Sequence, residues 1–536
     1  MSTASTTTAD DAPRTPDSQP SPAVPEPAKE VRFRGLITFA IMLATIMQVL
    51  DTTIANVALP HMQGSLSATQ DQITWILTSY IVASAIMTLP TAWLMGRFGR
   101  KNLFLFTVGG FTLASVLCGM ATSIEQMVLF RVLQGCCGAA LVPMAQATML
   151  DINPKEKHAK AMAMWGMGVM IGPILGPTLG GWLTESYNWR WVFYINLPLG
   201  IIAFIAMLLF MPDSERSDRP FDKFGFTMLA LMIGALQMLM DRGEGKGWFD
   251  SREILLYAAL AGSALWMYII HTLRTPHPFL SPEIFRDRNL MTSLVFIFFI
   301  GILLLATMAL LPPFLQTLVG YPVLDVGLIM APRGVGTMLA MVMVGQLANR
   351  LDARILLLIG LSCTAISLNA MTHFNTSVQA FTLIWTGMLQ GFGLGFIFVP
   401  LSTVAYATLA PQYRAEGASV FSLSRNMGSS VGISVVMALL SRHMSTNHAS
   451  LTENVTAASL GLSLQQVPQD VVSNASGMLL MLDAEITRQA ATIAYLNDFK
   501  LMFWVVVVAS PMVLMLKKAP PSKHQKAPEI AHAVAD

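Results

Sequence analysis

The sequence predicts an all-α polytopic membrane protein of about fourteen transmembrane helices. Three observations carry that reading. The first is composition: 54% of the 536 residues are hydrophobic and only 12% are charged, with a mean hydropathy of +0.57. A soluble domain carries about a quarter of its residues as charge, so this chain is not one. The second is that apolar runs recur at the length needed to cross a bilayer, roughly 20 residues at 1.5 Å each. The third is that basic residues collect at alternate ends of those runs.

Taken in order, residues 1–34 are rich in Ser, Thr, Ala, Pro and Asp and are expected to form a disordered cytoplasmic tail. The first apolar run is too long for a signal peptide and lacks a small-residue cleavage pattern, so it is expected to remain as an anchor. Spans are placed at 35–57, 72–93, 103–121, 126–149, 160–182 and 190–211, then at 223–240 and 253–272. A further set falls at 290–311, 323–347, 355–372, 379–400, 416–441 and 499–516. The linkers PDSERSDRPFDK and RTPHPFLSPEIFRDR isolate the middle pair. This divides the chain into a six-helix bundle over 35–211, two inserted helices with their linkers over 212–289, a second six-helix bundle over 290–516 and a cytoplasmic tail over 517–536. The second bundle includes a long outward loop, 442–498. The later part of that loop has helical spacing and mixed polarity, which suits either a docking or gating element or a helix lying on the surface.

Basic residues such as Arg32, Arg34, Arg97, Arg100, Lys101, Lys157, Arg350 and Arg354 fall on one side, and about seven, including Arg190, Arg242 and Lys500, on the other. That bias puts both termini in the cytoplasm and requires an even number of spans. A faint repeat links the two bundles: AWLMGRFGRK, Ala92 to Lys101, and GQLANRLDAR, Gly345 to Arg354, both end an inward-running helix in a small basic turn. Two related six-helix halves with a site between them is the layout of alternating-access transporters.

Asp51 stands in the first span, in the stretch LDTTIANVALP. A carboxylate inside a membrane costs at least ~2.5 kcal/mol and marks a functional site by default. Arg131 enters the fourth span at a similar outer depth. As neighbours, the arginine would favour ionised Asp51 while burial would favour the protonated form, a balance that loads and releases a proton. Gln48, Asn56 and Gln134 are candidates to surround Asp51, or to bond between helices. Arg333 and Arg425 lie nearer mid-membrane and must face the protein interior or a cavity. With Ser424, Asn426 and Gln390 they are candidates to line the second half of a pathway. Trp75, Tyr80 and Trp165 are candidate walls for an apolar or cationic compound, and an interfacial belt accounts equally for Trp75. Gly168, Gly172, Gly176 and Gly180 recur every four residues along one face of the fifth span, where Pro173 and Pro177 permit a bend. Cys118, Cys136, Cys137 and Cys363 lie within apolar runs, without metal-ligand spacing, and are read as packing residues. There is no GxxxxGK[ST] nucleotide loop and no catalytic constellation. The expectation is therefore no enzyme, no metal and no cofactor, with energy drawn from a proton gradient.

These motifs resemble the major facilitator superfamily, and within it the fourteen-span drug:proton antiporters of the EmrB/QacA type. LDTTIANVALP carries the likeness most specifically, followed by LFRVLQGCCGAALVP with Arg131, Gln134 and Gly135, by GMGVMIGPILGPTLGGWL, and by WRWVFYINLPLG. In the superfamily's loop motif an acidic residue usually precedes the arginine; here that position is Gly96, while Arg97, Gly99, Arg100 and Lys101 remain, and Asn349 stands at the equivalent place in the second half. The resemblance implies a major facilitator fold of two six-helix bundles plus two central helices, in a bacterial inner membrane. It implies proton-coupled efflux of varied lipophilic or cationic drugs, with Asp51 as proton carrier, Arg131 as its modulator and the fifth-span glycine helix as a conformational seal. A periplasmic adaptor and an outer-membrane channel are implied as partners. The alternatives are export of an endogenous metabolite, lipid or siderophore, and a membrane sensor or scaffold that binds ligand without moving it.

Overall fold

The computed structural model describes residues 33–213, 216, 219–348, 350–453 and 475–516. Among them every regular element is a helix, with no strand. Thirteen helices are long and apolar enough to cross a membrane, and a bent pair supplies a fourteenth span. An even count returns the last described residue to the side on which the first helix begins.

The first bundle is built from α1 (Arg34–Ser65), the pair α2 (Gln70–Thr88) and α3 (Thr91–Phe98), α4 (Arg100–Met120), the pair α5 (Ile124–Gly138) and α6 (Leu141–Asp151), α7 (His158–Ser186), and the pair α8 (Trp191–Tyr194) and α9 (Asn196–Phe210). The α2–α3 span bends by 59° at Leu89–Pro90, where proline withholds a backbone donor. Ends are set by local chemistry. Thr69 and Gln72 form a reciprocal capping box at the start of α2, and Ser123 caps α5. Gly99, at φ 83°, makes the tight turn between α3 and α4 that a side-chain-bearing residue would strain.

The inserted helices α10 (Lys223–Gly243) and α11 (Arg252–Arg274) pack on each other, and α10 also rests on α2. Asp222 ties this insert down: its carboxylate caps α10 and meets His271 on α11 at 2.9 Å. The second bundle comprises α12 (Arg288–Pro313), α13 (Val323–Leu347), α14 (Ala353–Met371), α15 (Ala380–Ala407), α16 (Arg414–Glu453) and α17 (Ala475–Ala509). After Pro312 and Pro313, α12 continues through a π-helical turn, Phe314–Val319.

The two bundles meet along α7 and α13, with Ile174 packed where a side chain on Gly334 would lie and Ala163 against Gly345. On the terminal side Asp151, at the end of α6, pairs with Arg100 at 2.5 Å and with Arg414, the first residue of α16, at 3.1 Å. Nearby, Arg219 of the linker pairs with Glu416 at 2.7 Å.

The described parts of the region expected as an outward loop, residues 442–453 and 475–498, are helix. α16 runs 40 residues and α17 runs 35, both longer than a bilayer requires. They continue as an antiparallel pair past the membrane, joined by Asn447 to the Ala490 carbonyl at 3.4 Å and by His448 to Asp483 at 3.1 Å. Residues 475–498, expected as a separate surface or docking helix, belong to the same helix as the last span. No glycine or proline interrupts the chain between Gly477 and Pro511, so nothing ends the helix at the membrane boundary. Residues 454–474, between the two helices, lie outside the described residues, as do Asn349 and both terminal tails.

Candidate functional site

Three helices that are distant in sequence deliver one polar cluster to the interior of the first bundle. α1 supplies Asp51, α5 supplies Arg131 and Gln134, and α9 opens at Asn196; all four are fully buried. Arg131 Nη1 donates to Asp51 Oδ2 at 2.7 Å. The same nitrogen donates to Gln134 Oε1 at 2.7 Å, and Gln134 Nε2 donates to Asp51 Oδ1 at 2.8 Å. Asn196 Nδ2 reaches that second carboxylate oxygen at 2.9 Å. Arginine and glutamine lie three residues apart on one helix face, so one turn of α5 presents both to the carboxylate.

A shell of further contacts orients the cluster. Arg131 Nε donates to the Ile76 carbonyl of α2 at 3.1 Å, and its guanidinium lies 4.3 Å from the centre of the Tyr80 ring. Gln48 does not reach Asp51; its Nε2 donates to the Tyr80 hydroxyl at 3.1 Å and so supports the ring beneath the arginine. Asn196 also meets Ser115 Oγ at 2.9 Å, and Ser115 donates to the Phe193 carbonyl at 2.9 Å. Arg131 Nη2 and Asn196 Oδ1 have no partner among the described residues. In a buried ion pair held this way, removing one partner leaves the other charge stranded, at a cost of about 3–5 kcal/mol.

The helix bearing Asp51 lies directly against the glycine face of α7. Side chains on Gly168, Gly172, Gly176 and Gly180 would run into Met42, Val49 and Leu50, Thr53, and Ile54 respectively. Thr53 Oγ1 donates to the Gly172 carbonyl at 3.1 Å across this contact. Pro173 and Pro177 fall within α7. The glycines thus set how closely α7, which also lines the junction with the second bundle, approaches the turn of α1 that holds the carboxylate.

The remaining candidates are spread more widely. Trp165 is fully buried on α7 and stacks on Phe398 of α15, ring centres 5.9 Å apart, so it stands where the bundles meet. Trp75 is half-buried on α2 beneath Arg242 of α10, 5.0 Å away, and so faces the inserted pair. Asn56 is exposed and donates to the Thr52 carbonyl of its own helix at 3.2 Å, away from Asp51. Five residues further along a helix turns it about 140° from the carboxylate, so it does not belong to the cluster. Arg97 is exposed, Gly99 turns the chain into α4, Arg100 joins the Asp151 pair and Lys101 lies in the first turn of α4. In the second bundle Gln390 is buried and donates to Thr307 of α12 at 3.1 Å, and Arg333 donates to the Leu304 carbonyl at 3.4 Å. Arg425 contacts Asn426 at 3.4 Å, and Ser424 bonds the Leu294 carbonyl at 2.8 Å. Sequence reasoning did not single out Asn196 or Ser115. Each is a small polar residue inside an apolar run, and that was the available signal.

The model of the Major Facilitator Superfamily matches residues 41–433. The chain belongs to the major facilitator superfamily. It is a transporter by family, not an enzyme. Its relatives include the fatty acid resistance protein FarB of Neisseria gonorrhoeae, 34% identical over 490 residues, which cover 90% of this chain and 96% of that one. The multidrug export protein EmrB of Escherichia coli K12 is 34% identical over 423 residues, covering 78% of this chain and 83% of that one. Among solved structures, the human organic anion transporter MFSD10 superposes with a TM-score of 0.55 at 12% identity, over 88% of this chain and 99% of that one. A bacterial homologue of the lysosomal transporter Spinster gives 0.52 at 17% identity, over 90% and 97%. In this facilitator the Asp51 cluster therefore lies in the first of the two bundles, and the α7–α13 contact is the seam between them.

Proposed function

We propose that this facilitator is a proton-coupled exporter of structurally varied toxic amphiphiles, working by alternating access in a bacterial inner membrane with both termini in the cytoplasm. The observation that carries the reading is the fully buried Asp51–Arg131 pair, closed by Gln134 and Asn196. A carboxylate inside an apolar bundle that is satisfied only while ionised can store a conformational difference in one proton. Protonation frees Arg131 and loosens α1 from α5 and α9. Because α1 lies against α7, and α7 against α13, the loosening is delivered to the seam between the halves. Drug substrates are favoured by the likeness to EmrB, and amphipathic acids form a second class favoured by the likeness to FarB. In double-membraned cells, a periplasmic adaptor and an outer-membrane channel would complete the export path, with the extended α16–α17 pair as a surface for the adaptor.

The test is ethidium efflux driven by an imposed pH gradient in proteoliposomes, comparing wild type with Asp51→Asn at equal reconstitution. Wild-type exchange with loss of gradient-driven transport in the variant supports the reading. Equal transport by both removes Asp51 from the coupling mechanism.

A further inference from the structure

The second bundle repeats the geometry of the Asp51 cluster but leaves out its acid. The tripeptide LQG occurs at 133–135 on α5 and again at 389–391 on α15. In the first bundle Gln134 Nε2 donates to Asp51 on α1, the helix that opens that bundle. In the second, Gln390 Nε2 donates to Thr307 on α12, the helix that opens the other. A neutral hydroxyl thus stands where the first half has a carboxylate. The positive charge nevertheless has a counterpart. Arg333, 5% exposed, extends from α13 to the Leu304 carbonyl, one turn before Thr307 on the same face of α12. Among the described residues its Nη1 has no hydrogen-bond partner, and neither has Gln390 Oε1. The two side chains start from one tight junction, since a side chain on Gly391 would meet the Arg333 carbonyl. Both side chains end on the Leu304–Thr307 turn, Arg333 through Nη2 and Gln390 through Nε2.

A buried guanidinium with no carboxylate and a buried amide with an unused acceptor, both reaching the same turn of α12, suit a carboxylic head group, which accepts at one oxygen and, when protonated, donates at the other. We infer that Arg333, Gln390 and Thr307 form a carboxylate-binding site for the head group of an amphipathic monoacid. Arg333 Nη1 donates to one head-group oxygen, and when the head group enters as the neutral acid its O–H keeps its proton and donates a hydrogen bond to Gln390 Oε1. The surrounding α12 residues Leu303 and Ala306 are buried and apolar, which suits the first carbons of an alkyl chain. The inference names a substrate class for the exporter proposed above and rests on that reading, although the binding step itself requires no transport.

The experiment is saturable binding of radiolabelled laurate to the full chain in nanodiscs, with empty nanodiscs subtracted and with unlabelled laurate, dodecylamine and dodecanol as competitors. Laurate is expected to compete best. Arg333→Gln is expected to weaken laurate binding about tenfold or more, with partial recovery in Arg333→Lys. Binding is read without a gradient and without transport, which separates failure of the proton mechanism from failure of this site. Equal laurate affinity in wild type and Arg333→Gln overturns the inference, as does binding no greater than in empty nanodiscs. Should Arg333→Gln not fold, the head-group series on wild type decides: displacement by dodecylamine as effective as by laurate overturns the site.

Discussion

Asn196 and Asp51 lie 145 residues apart in the chain and 2.9 Å apart in the folded protein. Asn196 is the first residue of α9, and its amide is shared between the Asp51 carboxylate and Ser115. It therefore reports the state of Asp51 to a helix that Arg131 does not touch through any hydrogen bond. Removing it leaves the carboxylate with Arg131 and Gln134 alone. Asn196→Leu should slow exchange severalfold, because α9 loses its hydrogen bond to the carboxylate and to Ser115. Transport rates in proteoliposomes, set against Asn196→Gln, which keeps the amide, measure the effect. Wild-type rates in Asn196→Leu would mean that Asn196 only fills space.

The α1–α7 contact makes a sharper steric prediction. A Cβ on Gly176 would lie 2.1 Å from Thr53 Oγ1, and on Gly172 it would lie 2.9 Å from the Leu50 backbone nitrogen. Gly181, one residue from the glycine face, has nothing within 4 Å. Gly176→Val should destabilise the protein by about 1–3 kcal/mol and impair transport, whereas Gly181→Ala should leave both near wild type. Thermal unfolding in detergent alongside dye efflux tests the pair of variants. Equal tolerance at both positions would show that α7 does not need to approach α1 this closely.

On the terminal side Asp151 holds Arg100 of its own bundle and Arg414 of the other. Partly exposed pairs of this kind contribute about 0–1 kcal/mol each to stability. Between two conformations of similar energy, a loss of ~1 kcal/mol changes the populations about fivefold. Asp151→Asn should therefore favour conformations in which this side is parted. Spin labels at Lys157 and Gln412, one on each bundle, should then show a broader and longer distance distribution than in the parent protein. An identical distribution would remove the ion triad from the gate.

The sequence was informative where membrane physics is strict. Asp51 and Arg131 stood out because a charge in an apolar run has few inexpensive explanations, and the structure brings them to 2.7 Å. Asn56 and Asn196 are harder to sort. Asn56 stands close to Asp51 in the chain yet faces away from it, whereas Asn196, far off within the stretch WRWVFYINLPLG, touches the carboxylate. Polarity marks such residues, but only the helical phase and the packing of remote helices decide which way they point. The α16–α17 extension was obscured for another reason. Beyond the membrane the hydrophobic signal ends, while the helix continues on propensity and pair packing, so hydropathy alone ends α16 at 441 and begins the last span at 499.

Asp498 is a second fully buried carboxylate, on α17 of the other bundle. Neither of its oxygens has a hydrogen-bond partner among the described residues. The only ion-pair contact it makes among them is to His443 Nδ1 of α16, at 3.6 Å. Its helix also brings Phe499 and Tyr495 against Phe314 of α12, and Phe499 against Phe374. An ionised carboxylate in such surroundings is costly, and a contact at 3.6 Å to a partly exposed imidazole offsets little of that cost. Replacing the acid with an apolar residue of similar volume should accordingly raise stability, as it does for other poorly solvated buried charges. Asp498→Leu is expected to raise the midpoint of thermal unfolding. His443→Ala is expected to lower it in the parent chain and to have little effect once Asp498 is gone, which is the signature of a coupled pair in a double-mutant cycle. A lower midpoint in Asp498→Leu would show that the carboxylate stabilises the α16–α17 pair, and His443 would then be the first residue to examine as its proton partner.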